Sequence, residues 1–182
     1  MSYQDDGKKE IERSHLDIFI TDYSRITKMQ FPEIYSSESP DFICTRSDGI
    51  TLGIELVNVM RDPESAQFDR LLYHKLEADS QETLDNIYYT IEKKDDIRSR
   101  NYGEWSDKTI LVMILSDCQL SNLHTSLTED LREDFSQYGF KEIWLADYTG
   151  IEAYGDIELF GLYPSQWWGY HQRDNPCRKP YG

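Results

Sequence analysis

Between residues 9 and 29, Ile11, His15, Ile18, Phe19, Ile26 and Met29 recur at three- and four-residue spacing, and no Gly or Pro interrupts them. That spacing predicts a helix, which Pro32 and the Ser/Glu-rich run 36–40 bring to an end. Two strands are predicted next, at 41–46 and 50–59, joined by a turn at Ser47-Asp48-Gly49. Asp62-Pro63-Glu64-Ser65 reads as a new helix start, with Asp62 as cap and Pro63 in the first turn. Its apolar stripe runs through Phe68, Leu71, Leu72 and Leu76 and resumes at Leu84, Ile87, Tyr88 and Ile91. After a turn at Asn101-Tyr102-Gly103, the continuous apolar run Thr109–Leu115 predicts a strand buried on both faces. A short helix over Ser126–Gln137 and a second buried strand over Glu142–Asp147 follow. From Tyr148 the chain turns aromatic and Gly-rich, with Tyr154, Phe160, Tyr163, Trp167, Trp168 and Tyr170. This order of elements predicts one α/β sandwich. It is a single domain over 1–182, with a core at about 9–147 and an aromatic-rich C-terminal extension at 148–182.

Composition narrows the function classes. At 182 residues the chain is long enough for one full core and short for two. A charged fraction of 29% with 13% aromatics excludes a disordered chain. No apolar run reaches membrane-spanning length, and Met1–Arg13 is polar and mixed in charge, so neither a span nor a secretory signal is expected. Cys44, Cys118 and Cys177 lie far apart without CxxC spacing, which points to a reducing cytoplasm. His15, His74, His124 and His171 are equally scattered and argue against zinc. The net charge of −15 disfavours nucleic acid as a general partner, because phosphate backbones are held largely through Lys and Arg. Local basic stretches occur at Lys93, Lys94, Arg98 and Arg100, and again at Arg173, Arg178 and Lys179. They read first as a solvated helix face and a loose tail. No Gly-rich phosphate loop and no Ser-His-Asp or Cys-His arrangement stands out.

Chemistry concentrates in Ser39-Pro40-Asp41-Phe42-Ile43-Cys44 and Gly53-Ile54-Glu55-Leu56-Val57. Each predicted strand carries one carboxylate among apolar neighbours, and burying an unpaired charge is expensive. Two carboxylates on adjacent strands repel unless a proton or a cation intervenes, and a divalent ion with oxygen ligands answers that conflict. The plainer alternatives are that Asp41 merely opens its strand after Pro40, and that Glu55 is edge-exposed or paired with Arg46.

A helix, a Pro-Asp on one strand, a Glu inside the next, then a helix and a buried strand resemble the PD-(D/E)XK nuclease-like superfamily. The Ser-Pro-Asp-Phe and Gly-Ile-Glu-Leu segments are similar to those of its small bacterial members. The resemblance covers about 9–147 and implies a restriction-endonuclease-like three-layer α/β sandwich with a central mixed sheet. It further implies that Asp41, Glu55 and the backbone carbonyl of Leu56 hold Mg²⁺ or Mn²⁺, and that a Glu on the first helix assists. Glu12 fits that place because it shares a face with Leu16, Phe19 and Tyr23; Glu10 is the alternate, and Glu33 and Glu38 lie past the helix. One position departs. The family carries a Lys two residues after the strand Glu, and here that residue is Val57. Leu84, Ile87, Ile91, Lys94 and Arg98 form one helical stripe, which makes Lys94 the candidate for the missing ammonium, with Lys93 and Lys75 as alternates. The expected activity is metal-dependent phosphodiester hydrolysis with Asp41, Glu55, Glu12 and Lys94 in the site. The competing expectation is a catalytically inactive scaffold serving as a protein-interaction or antidote module, its acidic surface meeting a basic protein partner. Trp167, Trp168, Tyr170 and Tyr163 read either as a stacking platform for bases or as a cluster that packs the extension or a homodimer contact.

Overall fold

The first apolar stripe forms α1 (Tyr3–Thr27), in a computed structural model that describes residues 3–59 and 79–173. Leu16, Phe19 and Tyr23, spaced at three and four, are fully buried on one face of α1. The helix stops where Thr27 Oγ1 donates back to the Tyr23 carbonyl and accepts from the Met29 amide, with Lys28 in the left-handed region at φ 64°. Three antiparallel strands follow: β1 (Glu33–Ser36), β2 (Phe42–Thr45) and β3 (Thr51–Asn58). The β2–β3 turn is closed by Asp48, which accepts from Arg46 and from the Ile50 amide, and Gly49 takes φ 87° there.

Helix α2 (Ser80–Asn101) opens on Asp79, whose side chain accepts from the Glu82 amide, and it buries Leu84, Ile87 and Ile91. It leads into β4 (Thr109–Leu115), parallel to β3. The short helices α3 (Leu120–Leu123) and α4 (Arg132–Ser136) connect β4 to the parallel β5 (Glu142–Asp147). Then α5 (Ile151–Tyr154), β6 (Glu158–Tyr163) and β7 (Gly169–His171) complete a mixed seven-stranded sheet in sequential order β1 to β7. Every residue of β4 is buried because each face of the strand meets a different core. Ile110, Val112 and Ile114 join the α1 side with Phe19 and Trp144, whereas Leu111, Met113 and Leu115 join the α2 side with Ile87 and Ile91. Full burial of each such side chain contributes about 1.5–3 kcal/mol. These two cores hold α1 and α2 on opposite faces of the sheet.

Some expectations change here. The run through Pro32 and residues 36–40 is not just a helix terminator, since β1 lies within it, added to the outer edge of β2. Ser126–Gln137 is not one helix: 3₁₀ turns at His124–Ser126 and Glu129–Leu131 precede the five-residue α4, with Thr128 extended between them. The stretch set apart as an extension supplies β6 and β7 to the same sheet. Its aromatic rings pack inward. Trp168 meets Phe160 edge-on at 5.2 Å, Trp167 lies 6.3 Å from Trp144, and Tyr170 stacks on His124 at 4.8 Å. The helix start at Asp62-Pro63, the stripe Phe68–Leu76, Lys75, Cys177, Arg178 and Lys179 lie outside the described residues. Among those described, no helix is long and apolar enough to cross a membrane.

Candidate active site

The site begins with a missing side chain. A Cβ on Gly53 would overlap the Pro40 ring and crowd Thr109 Oγ1, so glycine lets Pro40 lie across β3. The ladder pairs Phe42 with Ile54, and the next step places Asp41 beside Glu55. Two cross-strand bonds fix them: the Leu56 amide donates to Asp41 Oδ2 at 3.0 Å, and the Asp41 amide donates to Glu55 Oε2 at 3.1 Å. Glu55 is only 6% exposed. Its other oxygen, Oε1, accepts from Lys94 Nζ at 3.0 Å. Lys94 reaches it because Leu84, Ile87 and Ile91 pin the same face of α2 to the sheet. Val57, two residues after Glu55, packs into the α2-side core instead of carrying charge.

Two further groups complete the cluster. Tyr102, at the end of α2, buries a hydroxyl that makes no hydrogen bond of normal geometry among the described residues. Burial first, then the charge of Glu55 and the hydroxyl's close approach to that carboxylate, and then the charge of Asp41 push this phenol well above its ordinary range. On the other flank, Glu12 of α1 lies 3.4 Å from Lys9 Nζ and 3.8 Å from Lys8 Nζ, and its Oε2 is buried without a hydrogen bond. Lys9 also donates to the Ser37 carbonyl at 2.6 Å. Asp41 registers the balance. Burial first, then the charge of Glu55, and then that of Glu12, raise its carboxyl to about 6, against the opposing pull of the Leu56 amide and Lys9.

Burial, together with the neighbouring carboxylates Glu55 and Glu12, makes Asp41 hold its proton abnormally tightly. Hard oxygen donors in that condition fit Mg²⁺ or Mn²⁺. Among the described residues no three acidic, His or Cys side chains converge as a ready-made cage. The carboxylates that could hold such an ion are Asp41 and Glu55, while Glu12 lies against Lys8 and Lys9.

The arrangement brings together Asp41, Glu55 and Lys94 and puts Glu12 within electrostatic reach. Glu10, Glu33 and Glu38 face solvent, and Lys93 is exposed, lying over the Tyr89 ring at 4.8 Å. Arg46 does not pair with Glu55, and Glu55 is not edge-exposed. Arg46 turns to the other face and bonds Glu142 at 2.7 Å, because Asp48 and Tyr23 hold its guanidinium there. Sequence reasoning missed Lys9 and Tyr102. The signal for Tyr102 was present, since it falls four residues after Arg98 on the same stripe. Comparison with protein-family models, with curated proteins and with solved structures gives no match in any of the three.

Proposed function

We propose that this chain is a metal-dependent phosphodiesterase acting on nucleic acid, built on a PD-(D/E)XK-like scaffold. The observation that carries the reading is the Lys94–Glu55 contact, which brings an ammonium from α2 to the carboxylate pair that Val57 leaves without one. The order α1, three antiparallel strands, α2, then β4 parallel to β3 supports the same scaffold.

Asp41 and Glu55, with the Leu56 carbonyl, would hold Mg²⁺ or Mn²⁺. Such an ion, when bound, lowers the pKa of a water and polarises a phosphoryl oxygen. Lys94, fixed by Glu55, orients the attacking water and offsets negative charge growing on the phosphate. Tyr102 keeps its proton and has no internal acceptor of good geometry, so it is a donor for an oxygen of the substrate. Glu12 shares the approach of water from the α1 side. Attack of the water oxygen on phosphorus breaks one P–O ester bond and leaves a phosphomonoester and a hydroxyl.

A second reading, an inactive scaffold that binds a basic protein, draws on the net charge of −15. One pair of measurements separates the two. Calorimetry with Mg²⁺ and Mn²⁺ is expected to show binding to wild type that is lost in Asp41→Ala and Glu55→Ala, both folded by circular dichroism. Cleavage of labelled single- and double-stranded DNA and RNA is expected to fall at least about 100-fold in Lys94→Met while metal affinity is kept. Wild type that binds neither ion, or variants that bind as wild type does, would sink the enzymatic reading.

A further inference from the structure

A second polar concavity opens where β3 and β4 end, on the same side of the sheet as Glu55. It encloses about 170 Å³ between Asn58 and Val59 at the end of β3, Leu115, Ser116, Asp117 and Cys118 at the end of β4, and Thr83 and Asn86 on α2. The carboxyl ends of parallel strands are where open α/β sheets receive ligands. One lining group is left wanting. Thr83 is 3% exposed, and its Oγ1 has no hydrogen-bond partner. Asn86, on the next turn of α2, lines the same cavity. Buried hydroxyls in folded proteins are paired, so Thr83 marks a place that a polar molecule fills.

The cavity's size and chemistry limit that molecule. It exceeds the share of one liquid water, about 30 Å³. It is also smaller than the roughly 300 Å³ at which drug-sized sites begin. A single planar ring suits it. Val59, Leu115 and Cys118 offer apolar walls for ring faces, while the carboxamide offers a donor and an acceptor side by side, the pairing that reads a base edge. Asn86 and Lys94 are eight residues apart on one stripe of α2, which separates the cavity from the carboxylates by about 12 Å. Val59 lies four residues beyond Glu55, just past the end of β3, a separation of about 13 Å, and so gives the same distance. A short single strand spans that gap.

We propose that this cavity binds one nucleobase of the substrate strand, read at its edge by Asn86 and Thr83, two nucleotides or fewer from the phosphate under attack. The choice of a base rests on the phosphodiesterase reading; the existence of a polar-ring site does not. The test is a titration of the full chain with adenosine, cytidine, guanosine and uridine, without metal, followed by NMR of backbone amides. At least one nucleoside is expected to shift Thr83, Asn86 and Cys118. Its affinity should fall about tenfold in Thr83→Val and in Asn86→Leu, and stay unchanged in Asp41→Ala. Thr83→Val exchanges an unpartnered hydroxyl for a methyl of the same shape, so it should fold at least as well as wild type. Absence of shifts with all four nucleosides at millimolar concentration overturns the proposal, as does undiminished affinity in both cavity variants. Nucleoside binding by a chain that takes no metal would sustain the cavity and sink the phosphodiesterase; cleavage without nucleoside binding would do the reverse.

Discussion

Two buried polar clusters lie on opposite faces of the same sheet, and they are built by opposite rules. On the α1 side, Glu142 is surrounded: Tyr23 and Trp144 donate to Oε1 at 3.0 and 2.9 Å, and Arg46 donates to Oε2 at 2.7 Å. Arg46 in turn donates to Tyr23 and to both oxygens of Asp48. Each ionised oxygen there has a donor, and one guanidinium serves both carboxylates. On the α2 side, Glu55 has Lys94, but the Asp41 carboxyl is raised to about 6 and the Tyr102 hydroxyl makes no hydrogen bond of normal geometry. A closed network fixes a fold, whereas an unfinished one is stable only as far as the scaffold around it tolerates the deficit. Unfinished clusters are where function resides, because the missing partner can be a ligand.

The contrast can be broken most severely at Arg46. Arg46→Met strands the Glu142 carboxylate and is expected to cost about 3–5 kcal/mol in urea unfolding at pH 7. A loss below about 1 kcal/mol would show that the closed network is not what holds this face. At Asp41 the sign reverses. Its folded pKa of about 6 lies above the ordinary 3.8, so the contribution to stability is fullest below 3.8 and is lost as pH rises through 6. Asp41→Asn should therefore gain on wild type between pH 4 and 7, by up to about 3 kcal/mol, even as it abolishes metal binding. A flat difference across that range would remove the claim of uncompensated charge. The smallest effect belongs to Tyr102→Phe, which deletes a hydroxyl that lies near Glu55 without a hydrogen bond of normal geometry. Stability should hold or rise by up to about 1 kcal/mol, while phosphodiester cleavage falls about tenfold. A clear loss of stability would mean that the hydroxyl has a structural partner and that the two faces are more alike than argued.

How much of this the sequence disclosed depended on the length and regularity of each signal. Helix α1 and strands β2 to β5 were readable because their apolar positions are periodic over many residues or continuous. Strand β1 was not. Of its four residues all but Ile34 are exposed, so pairing with β2 makes it a strand and no pattern of its own does. Strand β6 was obscured by Gly161, which is there because the Trp167 carbonyl lies where a Cβ would stand. In the site, Asp41 and Glu55 stood out as charges inside apolar strands, and Lys94 as the polar end of an apolar stripe. Thr83 and Asn86 gave no such sign, since polar residues on a helix usually face water and only the packing shows that these do not.

The position of Lys94 has a consequence for how this site can change. A lysine on β3 would be gained or lost with one substitution, and its direction would follow from the pleat. A lysine on α2 depends on the phase of a helix three turns long between Leu84 and itself. Inserting or deleting one residue anywhere in that span would swing the ammonium about 100° around the axis, although no residue of the site had been altered. Arg98, one turn further on, resists such drift, because it is clasped by Ser106 and Asp95 and lies against Gly139. The length of α2 is thus under the same constraint as the identity of its lysine.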